Sequence, residues 1–193
     1  MAPSLRQDGK ELGKKHNLKV KLTIHAALKK GDCKVETDRR GRRLALVAHC
    51  VLNQNSRVFG LAERASMIGE VVRVLMRNGV GVIQMPCPEL VYAGLSRAPK
   101  TREQYDNLRF RSLCRKIAEQ LAEQISEYER NEIRLKVVIG VDGSPSCGVN
   151  ENPGILVEEL RLALDKVGVS APFYGVNYRR LKDDAHKLDG LVK

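Results

Sequence analysis

The sequence predicts an α/β fold: a three-layer sandwich on a small parallel, Rossmann-like sheet. Two observations carry this. From Leu44 onward, strand and helix patterns alternate four times, the signature of βαβ units winding around a parallel sheet. The first strand, Leu44–Ala48, is a continuous apolar run rather than an alternating one, as expected for a strand covered on both faces. A chain of 193 residues suits one domain with an appendage, and is long enough to bury a core without disulfide staples.

The elements follow in order. After Leu44–Ala48, residues Leu61 to Asn78 place Ile68, Val71, Val72, Leu75 and Met76 at helical spacing, with Asn78-Gly79 as a stop. Val80–Met85 reads as the second strand, followed by a Pro- and Gly-rich loop from Pro86 to Lys100. Thr101 and Gln104 form a capping box for a long helix reaching Tyr128. Arg134–Val141 is the third strand. Ile155–Val167 is helical, with Leu156, Leu160, Leu164 and Val167 on its apolar face. Val169–Val176 contains Pro172 and reads as a short edge strand, and Lys182–Leu191 as a last helix.

Charge divides the chain. The net +11 is concentrated in residues 1–43, where thirteen Lys and Arg face five Asp and Glu; residues 44–193 hold 21 against 18. We therefore read 1–43 as a basic, flexible N-terminal extension and 44–193 as the folded domain. Within the extension, Leu18–Ile24 alternates like a strand, and Cys33 is taken as incidental. Such a tail is ordinarily solvated, and otherwise an electrostatic contact to nucleic acid; no interleaved aromatics sharpen the second reading. Five cysteines at wide spacings do not form a secreted disulfide framework. No run approaches the ~18 apolar residues of a membrane span, and the amino terminus lacks a secretory apolar region. A reducing cytoplasm is the consistent compartment.

Three cysteines stand out. Cys50 follows the first strand, Cys87 the second and Cys147 the third, each among turn-forming residues. Parallel strands deliver all three thiols to one carboxyl edge, where open α/β sheets place ligands. Any one of them alone reads as a small core residue; three at equivalent strand ends point to a shared metal or cluster site with an open position. Cys114, inside the Thr101–Tyr128 helix, reads as core filling. The loop after Cys50 supplies Asn53, Asn55 and Arg57 as candidate substrate contacts. Prolines on either side of Cys87 stiffen it and Glu89. In Asp142–Gly148, glycines admit a bulky ligand, Ser144 and Ser146 add hydroxyls, and Ser146 is a further candidate substrate contact.

Zinc is one candidate ion, although a structural zinc needs a fourth ligand; His49 should point to the strand face opposite Cys50, and His186 is remote. Thiolates also hold iron–sulfur clusters, usually through four cysteines, and three would leave one iron open as a Lewis acid. No dinucleotide fingerprint or P-loop Lys-Ser/Thr follows the first strand.

Cys50, Pro86-Cys87-Pro88-Glu89 and Ser144-Pro145-Ser146-Cys147-Gly148, in this order, resemble the thiouracil desulfurase (TudS-like) family over roughly residues 44–178. The resemblance implies a [4Fe-4S] cluster on Cys50, Cys87 and Cys147, and non-redox, hydrolytic removal of sulfur from a small thiolated compound of the nucleobase type. It implies catalytic roles for Glu89 and Ser144. Asn53–Val58 departs from the Cys-Arg-Tyr-Asp-Gly-like stretch of shorter members, which puts thiouracil itself in question as the substrate, and the longer Tyr92–Lys100 segment, with Arg97 and Lys100, is read as shaping a different pocket. The rival readings are a module that binds a metal, cluster or sulfide without turnover, and a thiol redox protein.

Overall fold

The computed structural model describes residues 38–150 and 152–193; the Leu18–Ile24 alternation, Cys33 and most of the basic extension lie outside the described residues. The elements are β1 (Arg43–Ala48), α1 (His49–Leu52), α2 (Gly69–Arg77), β2 (Val80–Met85), α3 (Pro88–Ala93), α4 (Arg102–Tyr105), α5 (Leu108–Arg130), β3 (Arg134–Val141), α6 (Ile155–Lys166), β4 (Phe173–Val176) and α7 (Leu181–Val192), with short 3₁₀ turns at Gln54–Ser56 and Tyr178–Arg180.

The four strands form one wholly parallel sheet in the order β2-β1-β3-β4. Helices cover both faces: α5 packs on α6, and α2 on α7. Leu44–Ala48 is buried throughout, and so is most of β3, in keeping with the apolar composition of both strands. Each fully buried Ile or Val there, such as Ile139, contributes about 1.5–3 kcal/mol relative to exposure. Among the described residues no helix is long and apolar enough to cross a membrane.

The topology creates a crevice. The connection leaving β1 runs to β2 on one flank, and the one leaving β3 runs to β4 on the other. Between β1 and β3 the winding reverses, and the space outside their carboxyl ends is where such sheets bind ligands. Ala48 lies opposite Met85 in the register of β1 and β2, so Cys50 and Cys87 each stand two residues beyond strands that end level.

Four expectations change. The helix predicted from Leu61 begins only at Gly69, because backbone N–H groups upstream are claimed elsewhere. Glu63 N–H donates to Gln54 Oε1 (3.2 Å) and Ile68 N–H to the Val51 carbonyl (2.8 Å). The Thr101 capping box forms, but α4 stops at Tyr105; Asn107 then caps a new helix by accepting from Phe110 N–H at 3.0 Å. The Pro86–Lys100 loop contains α3, with Pro88 in its first turn, where a missing N–H costs nothing. The last strand begins only after Pro172.

Candidate functional site

Cys50, Cys87 and Cys147 line one cavity of about 200 Å³ at the carboxyl edge of the sheet. Cys50 arrives on α1, directly after β1. Cys87 precedes α3, and its carbonyl accepts from Val91 N–H at 3.1 Å. Cys147 lies six residues past β3, where the chain folds back so that Val141 N–H donates to the Cys147 carbonyl at 3.2 Å. This return passes so close over the strand that a Cβ at Gly140 would collide with the Cys147 carbonyl oxygen.

The Ser144–Cys147 turn is pinned from two sides. The Ser144 hydroxyl accepts from the N–H groups of Ser146 (3.3 Å) and Cys147 (3.2 Å). At the start of α6, Ile155 N–H donates to the Pro145 carbonyl (3.1 Å) and Leu156 N–H to the Ser146 carbonyl (2.9 Å). The otherwise orphaned donors of a helix terminus thus hold the loop. Gly154 permits this, since a Cβ there would strike the Ser146 carbonyl.

Glu89 sits in the wall with 9 % exposure. Its Oε1 accepts from the Ser146 hydroxyl at 2.6 Å and lies 3.4 Å from the Ser144 hydroxyl. Its Oε2 is 3.7 Å from Nε of Arg97. The Arg97 side chain is itself buried and donates to the carbonyls of Gly94 (3.1 Å) and Ser56 (2.9 Å). Across the cavity, the Arg57 guanidinium lies over the Tyr178 ring, 4.4 Å from its centroid. Gln54 donates to the Tyr178 hydroxyl (2.9 Å) and to the Cys50 carbonyl (2.5 Å), which fixes the floor beneath Arg57.

The thiols differ electrostatically. Cys147 donates a hydrogen bond to Cys50, which holds the Cys50 thiol below its ordinary pKa against the opposing effect of burial; the Arg57 charge adds to the lowering. For the donor, that bond and burial together push Cys147 well up. Burial raises Cys87 to about 11. Burial also lowers the pKa of His49.

Of the residues singled out from sequence, Cys50, Cys87, Cys147, Glu89, Ser144, Ser146 and Arg57 all line the cavity. Asn53 and Asn55 do not: Asn53 Oδ1 accepts from the backbone (3.1 Å) and side-chain (3.0 Å) nitrogens of Asn55, capping the 3₁₀ turn. His49, expected to face away from Cys50, lines the cavity too; the strand ends at Ala48, and its alternation does not continue into α1. Cys114 is fully buried on α5. Tyr178 was missed, for it stands 128 residues from Cys50 with no local motif to mark it.

Among the described residues, no three His, Cys, Asp or Glu side chains are grouped to hold a single metal ion. A cluster makes a different demand: each thiolate ligates its own iron, around a volume that the cysteines share. Three cysteines from three separate loops around one cavity fit that demand.

The family model described as "Putative 2-thiouracil desulfurase" matches residues 42–182, a span that holds all three cysteines, Glu89 and both serines. The chain belongs to this family. It is also 40% identical over 158 residues to "Uncharacterized protein MJ0003" of Methanocaldococcus jannaschii, an alignment covering 80% of this chain and 99% of the relative. No solved structure matches the chain.

Proposed function

We propose that this family member is an iron–sulfur-dependent desulfurase that hydrolyses the C=S bond of a small thiolated compound of the nucleobase class. The observation that carries the reading is the gathering of Cys50, Cys87 and Cys147 around one cavity whose wall is the hydrogen-bonded pair Glu89–Ser146. The three cysteines would hold a [4Fe-4S] cluster, which when bound supplies an open, Lewis-acidic iron for the thiocarbonyl sulfur. The overall change is C=S plus water to C=O plus hydrogen sulfide, with no electrons gained or lost.

The chain supplies the proton handling and the enclosure. Glu89, its Oε1 held by Ser146, accepts the proton of the attacking water at Oε2. The Ser146 hydroxyl, 3.4 Å from that of Ser144, donates to Oε1, which leaves Oε2 as the oxygen that takes the proton. Val58, Leu61, Met85 and Leu156 form apolar walls that limit water, and Arg57, flat on Tyr178, offers donors to a substrate heteroatom.

Anaerobic reconstitution with iron and sulfide counting, a visible spectrum and a sulfide-release assay on thiolated pyrimidines test the reading. Four irons per chain and sulfide release are expected. A colourless protein holding one zinc ion would overturn it. One observation favours a second reading: Cys50 and Cys147 line the same cavity and each shifts the other's pKa, as expected of two thiols placed to form a disulfide. A protein that forms that disulfide in air and, once reduced, never takes up iron would be a thiol redox protein instead.

A further inference from the structure

Arg97 joins the Cys50 loop, the Cys87 helix and Glu89. Its Nη2 donates to the carbonyl of Ser56 in the Cys50 loop, and its Nη1 to the carbonyl of Gly94 at the end of the helix that Cys87 begins. Its Nε faces Glu89 Oε2 at 3.7 Å, too far for a hydrogen bond, and among the described residues has no hydrogen-bond partner. The residue is only 8 % exposed. An unpaired guanidinium donor at that depth is costly, so its retention beside a carboxylate calls for a reason beyond packing.

The serines divide in a complementary way. Ser146 is 1 % exposed and spends its hydroxyl on Glu89 Oε1 at 2.6 Å. Ser144 donates to the same oxygen at a longer 3.4 Å and accepts two backbone N–H groups. Glu89 is thus held chiefly by Ser146 on Oε1, with the Arg97 charge facing Oε2.

We propose that Arg97 and Ser146 are positioning residues that aim the Glu89 carboxylate, Arg97 also tying the Cys50 loop to the Cys87 helix, while Ser144 braces the Cys147 turn. The proposal deepens the desulfurase reading and rests on it for its kinetic consequence. A misplacement of about 1 Å at a reacting group costs on the order of 100-fold in rate. Loss of that order in kcat with little change in KM is therefore expected for Arg97→Ala. Guanidinium added at a non-denaturing concentration restores turnover saturably in that variant. Arg97→Lys, which keeps a charge but cannot reach three partners, recovers only part of the rate.

A second readout needs neither cluster nor activity. In metal-free protein carrying ¹³C at glutamate side-chain carboxyls, the Glu89 resonance is assigned by its loss in Glu89→Gln. It is expected to move in Arg97→Ala, Arg97→Lys and Ser146→Ala, and further in Ser146→Ala than in Ser144→Ala. An unmoved resonance in a folded Arg97 variant, or a larger shift in Ser144→Ala, overturns the proposal. So does a rate loss in Arg97→Ala that guanidinium never restores while Arg97→Lys is fully active. Should the wild-type protein release no sulfide from any thiolated base, the desulfurase reading fails, and the resonance still decides the role of Arg97.

Discussion

Ser144 and Ser146 stand two positions apart in one turn and serve different main partners, the backbone N–H groups for Ser144, with Glu89 only at 3.4 Å, and Glu89 at 2.6 Å for Ser146. Motif spacing marks both hydroxyls but not this division, since direction in a turn depends on hydrogen bonds that no spacing encodes. The cysteines are more legible because strand ends dictate where they emerge. Replacing Cys50, Cys87 or Cys147 singly by Ser is expected to abolish stable iron loading, read from the visible spectrum, whereas Cys114→Ser retains it. For Glu89→Gln we expect a cluster spectrum like that of the wild type with sulfide release slowed by about 10²–10⁴, the usual worth of a placed acid or base. Iron loss in Glu89→Gln would assign Glu89 to cofactor retention instead.

At the scale of elements, strands β1, β2 and β3 read correctly because burial on both faces or a bracketing turn leaves a strong local pattern. Helix ends read less well. Leu61–Ile68 has helical composition but is drawn into the Cys50 loop through Gln54 and Val51, a tertiary bond overriding propensity. The Asp106-Asn107 break carried a visible signal, a capping Asn in mid-pattern, that the long apolar periodicity masked. Two predictions belong here. Gly154→Ala forces α6 away from the Ser146 carbonyl and is expected to destabilise by about 1–3 kcal/mol, as overpacking does, with sulfide release falling further than the melting midpoint accounts for. Asp189 joins α7 to Lys193, Asn78 and Arg77, at 2.7–2.8 Å, and these bonds hold its carboxyl well below the usual range. A depressed carboxylate contributes stability above its unfolded pKa and loses it as pH falls through the folded one. Asp189→Asn is therefore expected to melt earlier than wild type at neutral pH, with the two curves converging in strong acid; a constant gap at all pH values would contradict the assignment.

On the scale of the whole molecule, the three-layer fold was legible because every strand-to-helix switch changes hydrophobic period. The cavity was only half legible: the Tyr92–Lys100 segment marks Arg97 as pocket-shaping but not as the neighbour of Glu89, and Tyr178, under Arg57, lies in a segment without a motif. The cavity is lined by residues between Ala48 and Leu156, and the family match begins at residue 42. Removal of residues 1–37 is therefore expected to leave kcat on a small substrate unchanged, measured by sulfide release; a tenfold fall would show that the basic extension reaches the site. The pinning of the Cys147 turn also has an evolutionary reading. One wall is fastened to β3 and α6 by backbone bonds, so nearly any drift there disturbs the chemistry. The wall formed by Val58, Leu61, Pro99 and Lys100 takes no part in those bonds or in the hold on Glu89. Selection for new substrates can rewrite that wall alone, which makes it the place to randomise when retargeting this scaffold.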